Sequence, residues 1–254
     1  MLVSHVLQRN SAWLVAHDDE AASPEERQQI EALAGRRAAG EPMAYLLGER
    51  EFFGRTFRCT PAALIPRPET EHVVELVLTL IETSAEAAIL DVGTGTGCIA
   101  ITLALERPNA QIAALDVSPD ALELARENAA KLHANNIGFF QSNWFSAVAS
   151  DAKFDVIVSN PPYIVPGDVH LSQGDLRFEP AIALTDAIDG LESYRQLARG
   201  AMTHLKAGGW LAVEHGYDQG ESVPALLRAS GFTEVSMLHD LAGQPRIAAA
   251  RKPY

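Results

Sequence analysis

The chain has 254 residues, 47% of them hydrophobic and 21% charged, with 18 glycines and 14 prolines. A chain of this length buries roughly 70–75% of its unfolded surface without disulfide or metal staples, and the composition excludes collagen-like, coiled-coil and disordered classes. A net charge of −13 repels a phosphate backbone unless cations cluster, and no basic run is longer than Arg36-Arg37 or Arg251-Lys252. Only Cys59 and Cys98 are present, too few for a disulfide framework or a four-cysteine zinc site. Residues 1–20 lack a basic leader and an apolar signal stretch, and no apolar run nears the ~20 residues of a membrane span. A cytoplasmic protein is expected.

In chain order, residues 1–48 read as a small helical N-terminal domain. One helix is expected over residues 2–15; no capping residue precedes it, which fits either a missing upstream piece or a misassigned initiation site. The capping box Ser23-Pro24-Glu25-Glu26 opens the next helix, Ile30, Leu33 and Ala34 follow at helical spacing, and Gly40 with Pro42 closes it. Residues 49–68 hold a short β-hairpin turning near Gly54 and a linker stiffened by Pro66-Arg67-Pro68.

From residue 69 to 254 helix and strand alternate. A helix over 69–82 carries Val73, Leu76, Val77, Leu80 and Ile81 on one face, and Ser118 caps another over 119–132. Strands are expected at 88–92, 111–115, 137–141, 154–158, 210–214, 232–238 and 246–250. Strands apolar on both faces and separated by helices predict an α/β fold with a doubly wound, mostly parallel, seven-stranded Rossmann-like sheet. Only residues 240–245 join the last two strands, too few for a crossover, so these form an antiparallel hairpin at the sheet edge.

Asp91-Val92-Gly93-Thr94-Gly95-Thr96-Gly97 falls where the first sheet strand ends and a helix begins. Glycines there let the backbone turn sharply and approach a ligand, and the helix start offers free N–H groups. Asp116 follows at the tip of the second strand, where a carboxylate accepts both hydroxyls of a ribose. The pair implies an adenosine-type cofactor; Gly95-x-Gly97-x-x-Ala100 also satisfies the dinucleotide pattern, so NAD and S-adenosylmethionine both remain open.

Asn160-Pro161-Pro162-Tyr163 follows the strand at 154–158 and belongs beside the glycine loop, because ligands of doubly wound sheets bind at the carboxyl ends of strands. The Asn160 side-chain oxygen and the Pro161 carbonyl are neutral acceptors made rigid by two prolines, and Tyr163 adds a flat ring. Such a site grips a planar group bearing an NH₂. An amide nitrogen is a poor nucleophile because its lone pair is delocalised into the carbonyl. Two acceptors aimed out of the amide plane favour a pyramidal nitrogen and free that lone pair toward an incoming methyl group.

Together these motifs resemble a class I S-adenosylmethionine-dependent methyltransferase acting on a planar nitrogen. With Leu64-Ile65-Pro66-Arg67-Pro68-Glu69-Thr70-Glu71, Arg177-Phe178-Glu179-Pro180 and Glu214-His215-Gly216, the chain closely resembles the release-factor glutamine N5-methyltransferases, the PrmC/HemK family, from about Glu41 onward. The resemblance implies methylation of the glutamine in the Gly-Gly-Gln loop of class I peptide-chain release factors, and residues 69–254 as the catalytic domain. It implies that Gly93, Thr94, Gly95, Thr96 and Gly97 wrap the methionine and ribose of the cofactor, that Asp116 holds the ribose, and that Trp144 lies against the adenine. It further implies that Asn160 and Pro161 bind the glutamine amide, with Pro162 and Tyr163 packed on it. Asn143 stands where such enzymes commonly have an aspartate that accepts from the adenine amino group; an amide oxygen accepts the same bond. The family's N-terminal helical domain, which helps dock the release factor, is longer than residues 1–48.

A glutamine methyltransferase of a ribosomal protein shares the Asn160–Tyr163 loop, but Pro66-Arg67-Pro68-Glu69 favours release factors. A base-flipping DNA amino-methyltransferase would need a basic groove, which a net charge of −13 speaks against. A nicotinamide oxidoreductase would leave the Asn160 loop without a purpose, and a non-catalytic binding module would leave both loops so. The 8 histidines are scattered without metal-ligand spacing, and no metal is expected. His215 reads as a satisfied structural histidine. Cys98 opens a helix, which would lower its pKa, but is assigned no chemistry. Arg67 and Glu179 flank the expected pocket.

Overall fold

The computed structural model describes residues 1–82 and 86–254. The chain opens with helices α1 (Leu2–Leu7), α2 (Ser11–Ala16), α3 (Pro24–Ala38) and α4 (Met43–Leu47). The helix expected over residues 2–15 is broken in two. Gln8 turns left-handed with φ 53°, and Asn10 restarts the helix by accepting from Trp13 N at 2.8 Å. An asparagine that competes for backbone donors is a better cap than a helix interior residue. The capping box of α3 is present in both directions, Glu26 N to Ser23 Oγ at 3.2 Å and Ser23 N to Glu26 Oε2 at 2.8 Å.

Strands β1 (Glu49–Phe52) and β2 (Arg55–Arg58) form the hairpin, turning through Phe53-Gly54. Phe52 and Phe57 are buried and meet edge to face at 6.0 Å, packed into the core beneath helix α5 (Glu71–Leu80). The large sheet follows: β3 (Ala88–Val92), β4 (Gln111–Asp116), β5 (Ile137–Gln141), β6 (Phe154–Ser159), β7 (Leu205–Glu214), β8 (Thr233–His239) and β9 (Pro245–Arg251). Its order is β5-β4-β3-β6-β7-β9-β8, with β3 to β7 parallel and β9 antiparallel to both its neighbours. The edge hairpin is therefore present, its returning strand lying inside and β8 outermost.

Side chains alternate across the sheet. Ile89, Val156 and Val158 pack with α5 and α6 (Cys98–Glu106), whereas Leu90, Val92 and Ile157 pack with α8 (Glu192–His204) and α9 (Ser222–Ala229). Strand β7 begins five residues earlier than the pattern at 210–214 shows. Gly208 (φ 74°) and Gly209, set against the Asp155 carbonyl at a register shift in β6, carry this extension. Glycine has no side chain to declare a face, so the extension leaves no periodicity.

The hairpin is tied to the sheet by Asn128 of α7 (Pro119–Leu132), which is fully buried. Its Oδ1 accepts from Arg58 N at 2.7 Å, while Nδ2 donates to Arg58 O at 3.1 Å and to Thr96 O at 2.9 Å. Residues 164–191 carry three 3₁₀ turns and one bridge, Ile164 to Thr185. Arg37 pairs with Asp175 at 3.1 Å and Arg177 donates to Ala39 O at 3.0 Å, joining that segment to the N-terminal helices. Among the described residues no helix is long and apolar enough to cross a membrane. Replacing Asn128 with Ala removes the partner of three backbone groups, Arg58 N, Arg58 O and the buried Thr96 O. We expect a loss of about 3 kcal/mol in urea denaturation; a loss below about 1 kcal/mol would show that the hairpin does not depend on this residue.

Candidate active site

The sheet winds outward from β3 through β4 to β5 and returns at β6, so its direction reverses between β3 and β6, where Asp91 pairs with Val158. The loops that leave these two strands diverge and open a crevice at their carboxyl ends. Ser159 Oγ donates to Val92 O at 2.6 Å and pins the two strand ends together. A cavity of about 460 Å³ fills the crevice, within the roughly 300–1,000 Å³ of small-molecule sites.

Gly93, Thr94, Gly95, Thr96, Asp116, Asn143, Trp144, Asn160, Pro161 and Pro162 all line this cavity. Two residues expected at the site stand outside its wall. Gly97 (φ 81°) caps α6, where a Cβ would come within 2.7 Å of Ile101 Cδ1 and 3.2 Å of Ala125 Cβ. Its role here is close packing of loop on helix. Tyr163 packs with the core on the α8 side, and burial pushes its phenol pKa up. Gln219 holds it there from behind: Nε2 donates to Tyr163 O at 3.3 Å and to Gly190 O at 2.9 Å, and Oε1 accepts from Gly216 N at 3.0 Å.

The glycine loop fits a cationic nucleoside ligand. A Cβ at Gly93 (φ 78°) would meet no protein atom within 4 Å, so any side chain there would enter the cavity. Asp116 Oδ2 accepts from Gly95 N and Oδ1 from Ser118 N, both at 2.9 Å, leaving lone pairs on each oxygen for hydroxyls. Burial raises its pKa, with those N–H donors opposing. Asp91 is buried beneath the loop; Oδ2 accepts from Thr94 Oγ1 at 2.7 Å, and Oδ1 has no partner among the described residues. Burial pushes its pKa up to about 7. Trp144 holds a left-handed backbone (φ 52°) stabilised by Ser142 Oγ, which donates to its carbonyl at 2.7 Å.

On the acceptor side, Asn160 Nδ2 donates to Thr70 Oγ1 at 3.2 Å, and no described residue donates to Asn160 Oδ1 or to Pro161 O. The next carbonyl, Pro162 O, accepts from Ser193 Oγ at 2.7 Å. Two free acceptors therefore stand together at the cavity wall. Thr70 lines the cavity, and its hydroxyl donates to Glu214 Oε2 at 2.6 Å. Arg67 pairs with buried Glu179, whose Oε2 also accepts from Ile65 N at 2.9 Å. The linker and the segment after Phe178 are thus clamped over the cavity. Thr70, Gln219 and Ser193 were not singled out from sequence, because hydroxyls and amides carry no pattern until the fold collects them.

Two smaller expectations change. His215 is buried with Nδ1 2.8 Å from Gly216 O, but Nε2 has no partner among the described residues, so it is only half satisfied; burial lowers its pKa. Burial outweighs the helix start at Cys98 and pushes its thiol up to about 12. Among the described residues no group of three or more His, Cys, Asp or Glu side chains is placed to hold a metal ion.

A sheet of this order with a glycine loop and an acidic strand tip at its switch point defines a class I methyltransferase fold. A Pyrococcus furiosus methyltransferase shares it at TM-score 0.58 and 20% identity over 87% of this chain and 98% of that one. So does a T. thermophilus 16S rRNA N2 G1207 methyltransferase in complex with AdoMet and guanosine, at TM-score 0.60 and 18% identity over 80% of this chain and 49% of that one. Residues 68–181 match the methyltransferase small domain, and residues 1–48 match the PrmC N-terminal domain. The chain belongs to the release factor glutamine methyltransferase family. It is 50% identical over 252 residues to the Neisseria gonorrhoeae member, covering 99% of this chain and 91% of that protein.

Cys59 is also buried, with its thiol pushed up to about 12. A disulfide reagent at pH 8 should therefore titrate no thiol in the folded chain and both in guanidinium. One fast equivalent without denaturant, mapped to Cys98 by peptide mass spectrometry, would show that the cavity exposes that thiol.

Proposed function

We propose that this chain transfers a methyl group from S-adenosylmethionine to the side-chain amide nitrogen (N5) of the glutamine in the Gly-Gly-Gln loop of class I peptide-chain release factors. The cytoplasm, where these factors act, is its compartment. The observation that carries this reading is the pair of unclaimed neutral acceptors, Asn160 Oδ1 and Pro161 O, at the wall of the cavity that the glycine loop lines. Acceptors without charge suit an amide that must keep both hydrogens until it is alkylated.

S-adenosylmethionine, when bound, supplies a methyl group activated by a sulfonium, which leaves as a neutral thioether. Gly93, Thr94, Gly95 and Thr96 would hold its amino-acid and ribose portion, Asp116 the ribose hydroxyls, and Asn143 and Trp144 the adenine. Asp116 adds negative charge that complements a cation, and a bound cation in turn favours the ionised form of Asp91 beneath the loop. Asn160 Oδ1 and Pro161 O would each take one amide hydrogen of the glutamine, fixing its plane and favouring a pyramidal nitrogen. Tyr163 stiffens the loop from the core side, and Pro162 does so at the cavity wall. The amide nitrogen becomes acidic only as it is alkylated, so its proton passes to water and no side-chain base is required.

Purified chain, methyl-labelled S-adenosylmethionine and an unmodified release factor should place one methyl on the glutamine of the Gly-Gly-Gln loop, located by peptide mass spectrometry. Label in double-stranded DNA in a parallel tube, with none in the release factor, would overturn the reading. Asn160→Ala should lower turnover by about 10²–10³-fold with cofactor affinity retained; unchanged turnover removes Asn160 from the acceptor role. Asp116→Ala should weaken S-adenosylmethionine at least tenfold by calorimetry, about the 1.4 kcal/mol of one lost charged hydrogen bond, and unaltered affinity would refute the ribose assignment.

A further inference from the structure

Whether Asn160 can serve as an acceptor depends on which end of its amide faces the cavity. The two orientations have the same shape, so packing does not choose between them. Reversed, the side chain would present two N–H donors to a substrate amide that also offers two donors, and the site would repel the group it is built to hold. A second element must set the orientation.

Thr70 Oγ1 stands 2.6 Å from Glu214 Oε2 and 3.2 Å from Asn160 Nδ2. A hydroxyl has one hydrogen, and the shorter, charge-assisted contact takes it. Toward Asn160 the threonine then shows a lone pair, which only the NH₂ end of the amide can satisfy. Thr70 and Glu214 are each 2% exposed, so solvent does not substitute for either partner. The three residues reach this point from different elements: Thr70 from the turn after Pro66-Arg67-Pro68, Asn160 from the end of β6, and Glu214 from the end of β7, where Val213 pairs with Ser159.

We propose that Glu214, acting through the Thr70 hydroxyl, is a positioning residue that fixes the Asn160 amide with its oxygen toward the acceptor nitrogen. The role in turnover rests on the glutamine-methylation reading; the orientation itself does not. Glu214 is faced by Arg246 of β9, Glu69 beside Thr70, Tyr163 after β6 and Tyr194 of α8, with His215 next in the chain. Burial and the nearby Glu69 push its carboxyl up to about 7, against Thr70, Arg246 and the Asn160 NH₂, which also faces the carboxylate and favours both the anion and the same amide orientation. A proton on Oε2 reverses the relay: the carboxyl donates to Thr70, the hydroxyl hydrogen turns to Asn160, and the amide must offer its oxygen there. The competent state is the anion, so kcat rises with pH through the Glu214 titration and levels above it.

The test compares wild type with Thr70→Val, which keeps the shape, and Thr70→Ser, which keeps the hydroxyl. Expected for Thr70→Val is a kcat at least tenfold lower without the acidic limb, S-adenosylmethionine affinity within twofold of wild type, and a shifted ¹⁵N side-chain amide resonance of Asn160. Thr70→Ser should restore the kcat, the acidic limb and the resonance. Wild-type kcat in Thr70→Val, or an Asn160 resonance that does not move, overturns the proposal. Should Thr70→Val fail to fold, Glu214→Gln replaces it: loss of the acidic limb supports the relay, and an unchanged pH profile overturns it. If wild type transfers no methyl to a release factor while the Asn160 resonance still responds to Thr70→Val, the function reading fails and the relay stands.

Discussion

The parallel pairing of β3 with β6 is the constraint on which the site depends. Asp91 pairs with Val158, so the two strands end level, and Ser159 Oγ bonded to Val92 O keeps them so. A parallel sheet directs every carboxyl end to one edge, and its reversal of winding at this pair leaves that edge uncovered. The glycine loop and the Asn160 loop therefore share one cavity although Asn160 lies 64 positions after Thr96. Slipping the pairing by one residue would turn Leu90 and Ile157 away from the α8–α9 core, so burial on both faces fixes the register.

Around that edge the chain uses buried polar groups as rivets. Glu179 joins the linker to the segment over the cavity, Gln219 joins the acceptor loop to Gly190 and Gly216, and Asn128 joins the hairpin to the glycine loop. Each is worth little as a net interaction but costly to leave half-satisfied, which makes such groups selective for one arrangement. Loops without regular structure are held to the tolerance that a reaction in a confined site requires.

Much of this was legible from the residues. Strand–helix alternation gives the sheet because apolar runs of five residues bounded by turns have few other uses, and Ala88–Val92 and Ile137–Gln141 fall where the pattern puts them. The glycine loop and the Asn160 loop were readable because each is contiguous. Thr70 and Glu214 stand in segments that carry the resemblance, but their bond joins positions 144 residues apart and exists only through folding. The break at Asn10 rests on a single side-chain cap that leaves no mark on a helix expected over residues 2–15, and the start of β7 on Gly208 and Gly209, which have no face. Gly97 and Tyr163 belong to the motifs by position, yet the backbone turns Gly97 toward Ile101 and Ala125 and Tyr163 toward the core.

On the proposed function, one edge of the sheet holds methyl donor and methyl acceptor together. A crystal structure of the chain with S-adenosylhomocysteine and a peptide carrying Gly-Gly-Gln addresses it directly. The thioether ligand is expected along Gly93–Thr96 and Asp116, with the glutamine amide nitrogen within hydrogen-bond distance of both Asn160 Oδ1 and Pro161 O. A glutamine seated elsewhere, or an Asn160 amide turned to place Nδ2 against it, would show that this edge does not bring the two groups together.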